Sequence, residues 1–298
     1  MENLTCCPIC GSGESSPLIK AKDHTVSRET FQIAQCNNCG FRFTNPRPGA
    51  DELGAYYLSE DYLSHNSRSK GIIAKLYKMV RSRTIKKKVS MINDFSRANE
   101  RKLLDIGCGT GEFLRAASTV KWACTGVEPS LIARGIAQKE HGLNVIEETG
   151  LDELEGGQFD VISMWHVLEH VSMLNERINQ VKRLLKPGGS FIVAVPNCAS
   201  LDARIYGEFW AAWDVPRHLY HFTPEDVDRL MSKHGLRIEK TLPMTYDAYY
   251  VSILSEKYKT GSISLFRSTW NGFRSNLAAR KAPGTYSSQI YIIKASEP

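Results

Sequence analysis

Between residues 101 and 197, short apolar runs alternate with stretches of helical periodicity. The runs at 102–106, 124–127, 144–146, 159–164 and 190–195 have strand length, and alternation of this kind predicts βαβ units around a parallel sheet. Two further strands are expected at 236–242 and 289–294, separated by an insertion (243–288) that reads as helix near 248–259 and 263–280. Residues 50–98 also read as helix, with Ile72, Ile73, Leu76, Met79, Val80, Val89, Ile92 and Phe95 forming an apolar stripe between basic positions. Thr223-Pro224-Glu225-Asp226 combines a cap, a first-turn proline and first-turn acids, a strong helix start. The first 48 residues differ: rich in Cys, Gly and Pro, with strand-like runs at 31–34 and 41–44. No internal repeat interrupts this order.

Composition narrows the class. With 298 residues, 42% hydrophobic and 23% charged, the chain can bury a sizeable core and is neither disordered nor fibrous. The opening residues hold no basic stretch followed by an apolar one, and no apolar run approaches the ~20 residues of a membrane span. A soluble, cytoplasmic protein is expected. The net charge of +6 is uneven: twelve Lys/Arg stand between His65 and Lys102 against Asp94 and Glu100, so the rest of the chain is net acidic. Such runs are usually solvated faces, though a basic helix also suits nucleic acid.

Eight cysteines are too few for a disulfide scaffold. Cys7-Pro-Ile-Cys10-Gly and Cys36-Asn-Asn-Cys39-Gly are two C-x-x-C-G knuckles, the spacing of a tetrahedral four-thiolate site. Zinc is the expected ion, closed off and structural, with Cys6 an alternative to Cys7. Cys108, Cys124 and Cys198 read as small core residues.

The run Asp105-Ile106-Gly107-Cys108-Gly109-Thr110-Gly111-Glu112 follows a strand and opens a helix. Its glycines let a ligand approach the backbone. A dinucleotide site would want glycine where Glu112 stands, so a pyrophosphate would meet a carboxylate. Glu128 ends the next strand, where an acid can take both ribose hydroxyls. A cationic ligand carrying a ribose fits both acids.

These residues, with Val127-Glu128-Pro-Ser, Phe159-Asp160-Val-Ile-Ser, Val167-Leu-Glu-His170 and Leu185-Lys-Pro-Gly-Gly189, resemble the ordered motifs of class I S-adenosylmethionine-dependent methyltransferases over about residues 100–242. The resemblance implies an α/β fold with a Rossmann-like seven-stranded sheet, its last strand antiparallel. It implies that Asp105, Gly107 and Gly109 line the methionine part of S-adenosylmethionine, that Glu128 holds the ribose, and that the Thr149, Gly150, Leu151 turn faces the adenine. Many relatives have an aspartate in that turn. Trp165 and His166 fall where cofactor and substrate meet in the family, and Glu169 and His170 are expected to organise their turn. Residues 36–48, with Leu53, Tyr56, Tyr57, Trp210 and 214–223, resemble a bacterial subgroup with a zinc-ribbon leader that includes sugar C-methyltransferases; this chain is shorter than those. The expected layout is a ribbon (1–48), a basic helical linker (49–100) and a methyltransferase domain (101–298) with substrate-side insertions at 198–223 and 243–288.

Methyl transfer needs an aligned acceptor and, where that acceptor carries a proton, a base. The loop after the fifth strand lies at the ligand-binding edge of such sheets and holds His218 and His221 beside Asp214, Arg217 and Tyr220. Histidine is the commonest general base. His221 is favoured, because the helix after Thr223 fixes its position, with His218 and then His166 as alternatives and Asp214 as the orienting acid. A second metal site from Asp214, His218 and His221 is disfavoured. Tyr246, Asp247, Tyr249 and Tyr250 are placed to close over a substrate. The expected substrate is a small molecule or a glycan or lipid precursor. Rival readings are an RNA methyltransferase using the ribbon and basic helix, and a non-catalytic cofactor-binding scaffold. Against RNA, Ser163-Met-Trp-His166 stands where amino-methylating enzymes carry Asn/Asp-Pro-Pro-aromatic. Oligomeric state is left open.

Overall fold

A computed structural model describes residues 1–57, 72–95, 101–282 and 284–296, the side chains of 72–79 excepted. The strands are β1 (Ser15–Lys22), β2 (Thr30–Cys36), β3 (Arg42–Thr44), β4 (Arg101–Ile106), β5 (Trp122–Val127), β6 (Asn144–Ile146), β7 (Phe159–Trp165), β8 (Leu185–Pro196), β9 (Tyr220–His221), β10 (Leu236–Pro243) and β11 (Ser288–Ala295). The helices are α1 (Ala50–Leu53), α2 (Ile72–Asp94), α3 (Glu112–Ser118), α4 (Leu131–His141), α5 (Leu174–Leu184), α6 (Leu201–Tyr206), α7 (Pro224–Lys233), α8 (Asp247–Thr260) and α9 (Leu265–Lys281).

The main sheet runs β10-β11-β8-β7-β4-β5-β6. β8, β7, β4, β5 and β6 are parallel along it, and β11 is antiparallel to both of its neighbours. This is the expected α/β architecture, with every predicted strand of the sheet present. Its central strands are apolar on both faces because helices cover both: Leu104, Ile162 and Phe191 belong to one core cluster, Leu103, Val161 and Ile192 to the other. The start of α7 forms as its sequence predicts. Thr223 Oγ1 accepts from the Asp226 amide, and the Asp226 carboxylate takes the Thr223 amide in return.

Two expectations change. The helix read over 50–98 is not continuous: α1 and the 3₁₀ turn Gly54–Tyr57 precede α2. The parts of that reading at 58–71 and 96–98, with Arg68, Lys70 and Arg97, lie outside the described residues, as do the side chains of Ile72, Ile73, Leu76 and Met79. Ile92 of the predicted stripe is fully buried, in one cluster with Leu103, Leu114 and Trp122. The second change concerns the N-terminal sheet. Its order is β1-β2-β3-β9, so its fourth strand comes from the loop after β8, pairing Arg42 with His221 and Phe43 with Tyr220. Phe41 and Phe43 share a core cluster with Leu219, Tyr220 and Phe222, which joins this sheet to the main body through apolar packing.

Among the described residues no helix is long and apolar enough to cross a membrane.

Candidate functional site

The four knuckle cysteines converge. Cys7, Cys10, Cys36 and Cys39 bring their sulfurs within 4.8 Å of one another, with Cys7–Cys39 at 3.6 Å and Cys10–Cys36 at 3.5 Å. A tetrahedron built on zinc–sulfur bonds of about 2.3 Å has edges of about 3.8 Å, so the set fits such an ion. Each knuckle closes the same way: Gly11 donates to the Cys7 carbonyl and Gly40 to that of Cys36. Both glycines sit at positive φ, +77° and +80°. Cys6 is exposed and outside the group, which leaves Cys7 as the member.

The second assembly lies where β4, β5 and β7 end. Behind the turn after β4, a Cβ on Gly107 would stand 2.4 Å from Val167 Cγ2, and one on Gly111 2.4 Å from Leu143 Cδ1. Gly109 faces open space instead, with nothing within 4 Å. Its amide donates to Glu128 Oε2 at 2.8 Å, and Ser130 donates to Oε1 at 2.9 Å. Burial raises the Glu128 pKa above the usual carboxylate range against these two amides. Asp105, bonded to Ser163 Oγ at 2.6 Å, is pushed up to about 7 by burial, with Ser163 and the cation of Lys88 pulling the other way. Thr149, Gly150 and Leu151 form the 3₁₀ turn after β6, with Leu151 buried.

Trp165 closes this group. Its ring meets Phe113 edge-on at 5.7 Å, and its indole Nε1 is buried without a hydrogen-bond partner. The Lys88 ammonium lies 4.2 Å from the ring centroid, and burial lowers its pKa to about 8. One helix turn pair earlier, Arg81 bonds Glu112 at 2.8 Å. The basic helix is thus partly turned onto the site. In the sequence Lys88 and Arg81 look like part of a charge run, but their spacing of seven puts both on one helix face.

Beyond Trp165 a cavity of about 340 Å³ opens between the β7 and β8 ends and α8. Apolar surface from Val251, Leu254, Ala211 and Ala212 makes up much of its wall, with Tyr250 and Tyr258, while His166, Asp247, His218, Asp214 and Arg217 supply the polar part. His166 stands at φ +58°, a conformation uncommon for a residue with a Cβ. That turn aims its ring between two carboxylates: Nδ1 is 3.3 Å from Glu169 Oε1 and Nε2 is 3.0 Å from Asp247 Oδ2. Burial opposes the imidazolium, but the bonds to Asp247 and Glu169 outweigh it and raise the pKa to about 10.

The other histidines are placed differently. His218 lines the cavity, its Nδ1 2.9 Å from the Ala212 carbonyl and its ring edge-on to His170. His221, the favoured base, does not line it. It sits in β9, 3% exposed, with Nε2 3.1 Å from Thr44 Oγ1 and its ring against Trp213, and burial holds its pKa well below the usual value. The reason is the strand pairing that carries it into the N-terminal sheet. Asp214 orients no His221; it pairs with Arg217 at 2.6 Å and lies 3.9 Å from His218 Nε2. Arg217, 2% exposed, also reaches the buried Asp23 at 3.1 Å. Glu169, His170 and His218, rather than the trio with His221, bring ligand-type atoms within 4.8 Å.

Comparison with known proteins agrees with this geometry. The family described as "Methyltransferase domain" matches residues 79–241. A ubiquinone biosynthesis O-methyltransferase of Pseudomonas aeruginosa (strain LESB58) is 30% identical over 175 residues, 54% of this chain and 75% of that protein. One from Nitrosococcus oceani is 30% identical over 176 residues, 54% and 72%. Among solved structures, magnesium protoporphyrin IX methyltransferase from Synechocystis, with bound SAH, superposes with a TM-score of 0.53 at 14% identity, covering 81% of this chain and 97% of that one.

Proposed function

Because the chain belongs to the class I S-adenosylmethionine-dependent methyltransferases, we propose that it transfers a methyl group to a hydroxyl oxygen of a small, largely apolar molecule seated in the 340 Å³ cavity. The observation that carries this reading is the placement of His166, which lies on the cavity wall one residue from Trp165, between Glu169 and Asp247. The O-methyltransferase names of the relatives support the same atom.

The donors at the β4–β5–β7 ends fit the cofactor. Glu128 keeps lone pairs for ribose hydroxyls after serving Gly109 and Ser130. The open face of Gly109 and the carboxylate of Asp105 suit the methionine part, the buried indole N–H of Trp165 lacks an acceptor, and the Thr149–Leu151 turn borders the adenine side. When bound, S-adenosylmethionine supplies an electrophilic methyl on a sulfonium. What the chain adds is alignment and proton removal. An acceptor hydroxyl placed against His166 Nε2 displaces Asp247. With one carboxylate gone the imidazole pKa falls, Nε2 releases its proton to solvent, and Glu169 on Nδ1 holds the neutral ring oriented to receive the acceptor's proton. His218 and Asp214 lie across the same cavity and position the acceptor. The four cysteines hold one zinc ion that ties the N-terminal sheet together.

A glycan or lipid precursor remains compatible with an apolar wall ending in polar groups. RNA fits less well, because Arg81 and Lys88 are engaged at the site rather than offered to a phosphate backbone. The test is incubation with radiolabelled S-adenosylmethionine and a panel of phenols and catechols, followed by identification of the methylated atom. Transfer to oxygen that is lost in His166→Gln supports the reading; transfer to nitrogen or carbon overturns it.

A further inference from the structure

Helix α9 is inside out. Its buried residues are small: Ser268, Gly272, Ser275 and Ala279. A Cβ on Gly272 would come within 2.9 Å of Tyr249 Cδ1 and 3.0 Å of the Ala248 carbonyl, so α9 packs on α8 as closely as backbones allow. Its large apolar side chains point the other way. Phe266, Trp270, Phe273 and Leu277 follow i, i+4, i+7, i+11 spacing, which confines them to roughly 60° of arc on the face opposite the small residues. All four are exposed, Phe266 at 82% and Trp270 at 52%, as are Ile263 and Leu265 just before them in the chain. Scattered exposed apolar residues are ordinary, whereas a continuous aromatic stripe marks an interaction surface.

The charges beside the stripe select the partner. From Lys257 to Ser296 the sequence has no Asp or Glu but seven Lys/Arg. Arg267, Arg274, Arg280 and Lys281 are exposed on α9 itself, with Arg267 3.7 Å from Glu256 of α8. A second copy of the chain would set these cations against their own likeness. An aromatic stripe bordered only by cations is instead the composition of a helix that lies in an anionic membrane surface. Trp270 suits the interfacial layer, and long Arg and Lys side chains can reach phosphates while their stems stay apolar.

We propose that the outer face of α9 docks this protein on an anionic phospholipid bilayer, with the Phe266–Trp270–Phe273–Leu277 stripe in the headgroup layer and the flanking cations on lipid phosphates. The protein binds there peripherally. Helix α8, packed on the inner side of α9, is also a wall of the cavity, so the docked element adjoins the substrate site.

The test is flotation of the full chain with phosphatidylcholine vesicles and with vesicles of phosphatidylcholine and phosphatidylglycerol in equal parts. Two exposed-face variants accompany it, Phe266→Ser/Trp270→Ser/Phe273→Ser and Arg267→Gln/Arg274→Gln/Arg280→Gln/Lys281→Gln, each checked for a native thermal melt. The native chain is expected to float with the anionic vesicles only, and each variant to bind them about tenfold or more weakly. Raised salt should weaken binding of the native chain. Failure to bind either vesicle, or equal binding by the serine variant, overturns the proposal. So does a sedimentation experiment in which the native chain is a dimer and the serine variant a monomer while neither binds vesicles, because the stripe is then an interface between copies.

Discussion

His166 Nε2 and Asp247 Oδ2 lie 3.0 Å apart, joining the turn after β7 to the first residue of α8 across the cavity. The contact ties a group on the sheet edge to one on an inserted helix, so an acceptor that displaced Asp247 would change the protonation of His166.

His166→Gln should lower turnover by roughly 10²–10⁴ at saturating cofactor while leaving affinity for S-adenosylhomocysteine near native. The corresponding change at His221 should act through stability, because that ring is packed in β9. Steady-state rates and calorimetry on both variants separate the two effects. The rate of the native enzyme should rise on the alkaline side as His166 gives up its proton.

The same ion pair sets a stability profile. The His166 pKa is raised to about 10, against about 6.5 for a free imidazole. A raised histidine pKa contributes stability that is complete below the unfolded value and lost as pH climbs through the folded one. Melting temperature should therefore decline between about pH 6.5 and 10, and decline less in Asp247→Asn. Thermal melts across that range, read by circular dichroism, check the sign.

Glu128→Ala should weaken S-adenosylmethionine and S-adenosylhomocysteine by roughly 1.5–3 kcal/mol, the scale of charge-assisted hydrogen bonds. NAD should show no comparable affinity. Gly109→Ala meets no atom but is strained at φ +56°, so it should cost about 1 kcal/mol of stability and also lose cofactor binding to the methyl group placed in the open face. Isothermal calorimetry with the demethylated product reads both.

Elemental analysis of chelator-free protein should find one zinc per chain, and Cys36→Ser should release it. Hydrogen exchange should then rise in residues 1–48 and also at Tyr220 and His221, which pair with β3, while β4 and β7 stay protected.

Arg217→Met should destabilise the fold by about 3–5 kcal/mol by leaving Asp23 buried without its cation. Amides of Thr25 and Ser27, together with Arg217, hold the Asp23 carboxyl well below its ordinary pKa against burial. Its contribution is present above the unfolded value near 4 and is lost as pH falls through the folded one. Urea unfolding at neutral and acid pH tests both statements.

Much of this was legible in the chain because the signals were local. Strand periodicity, the Thr223–Asp226 cap, the knuckle glycines and the loop from Asp105 to Gly111 each depend on neighbours within a few residues, and the structure places them as read. His221 lies in a strand rather than in a loop facing the cavity, and the cause is long-range. Nothing near it reveals that Tyr220 and His221 pair with Arg42 and Phe43, a contact that trades a loop position for a strand. Lys88 is hidden in the sequence for a related reason: a cation in a basic run looks solvated until the helix is docked against its ring partner, Trp165.

The borrowed strand β9 also sets an order of events during synthesis. All four knuckle cysteines, like β1, β2 and β3, precede β9 in the chain. The edge of β3, however, remains open until Tyr220 and His221 emerge, after most of the main sheet has been translated. An unpaired edge is a template for foreign strands. A nascent chain stalled anywhere between β3 and β9 therefore exposes an adhesive edge, and the last residues of the loop after β8 act as the seal that ends this vulnerable interval.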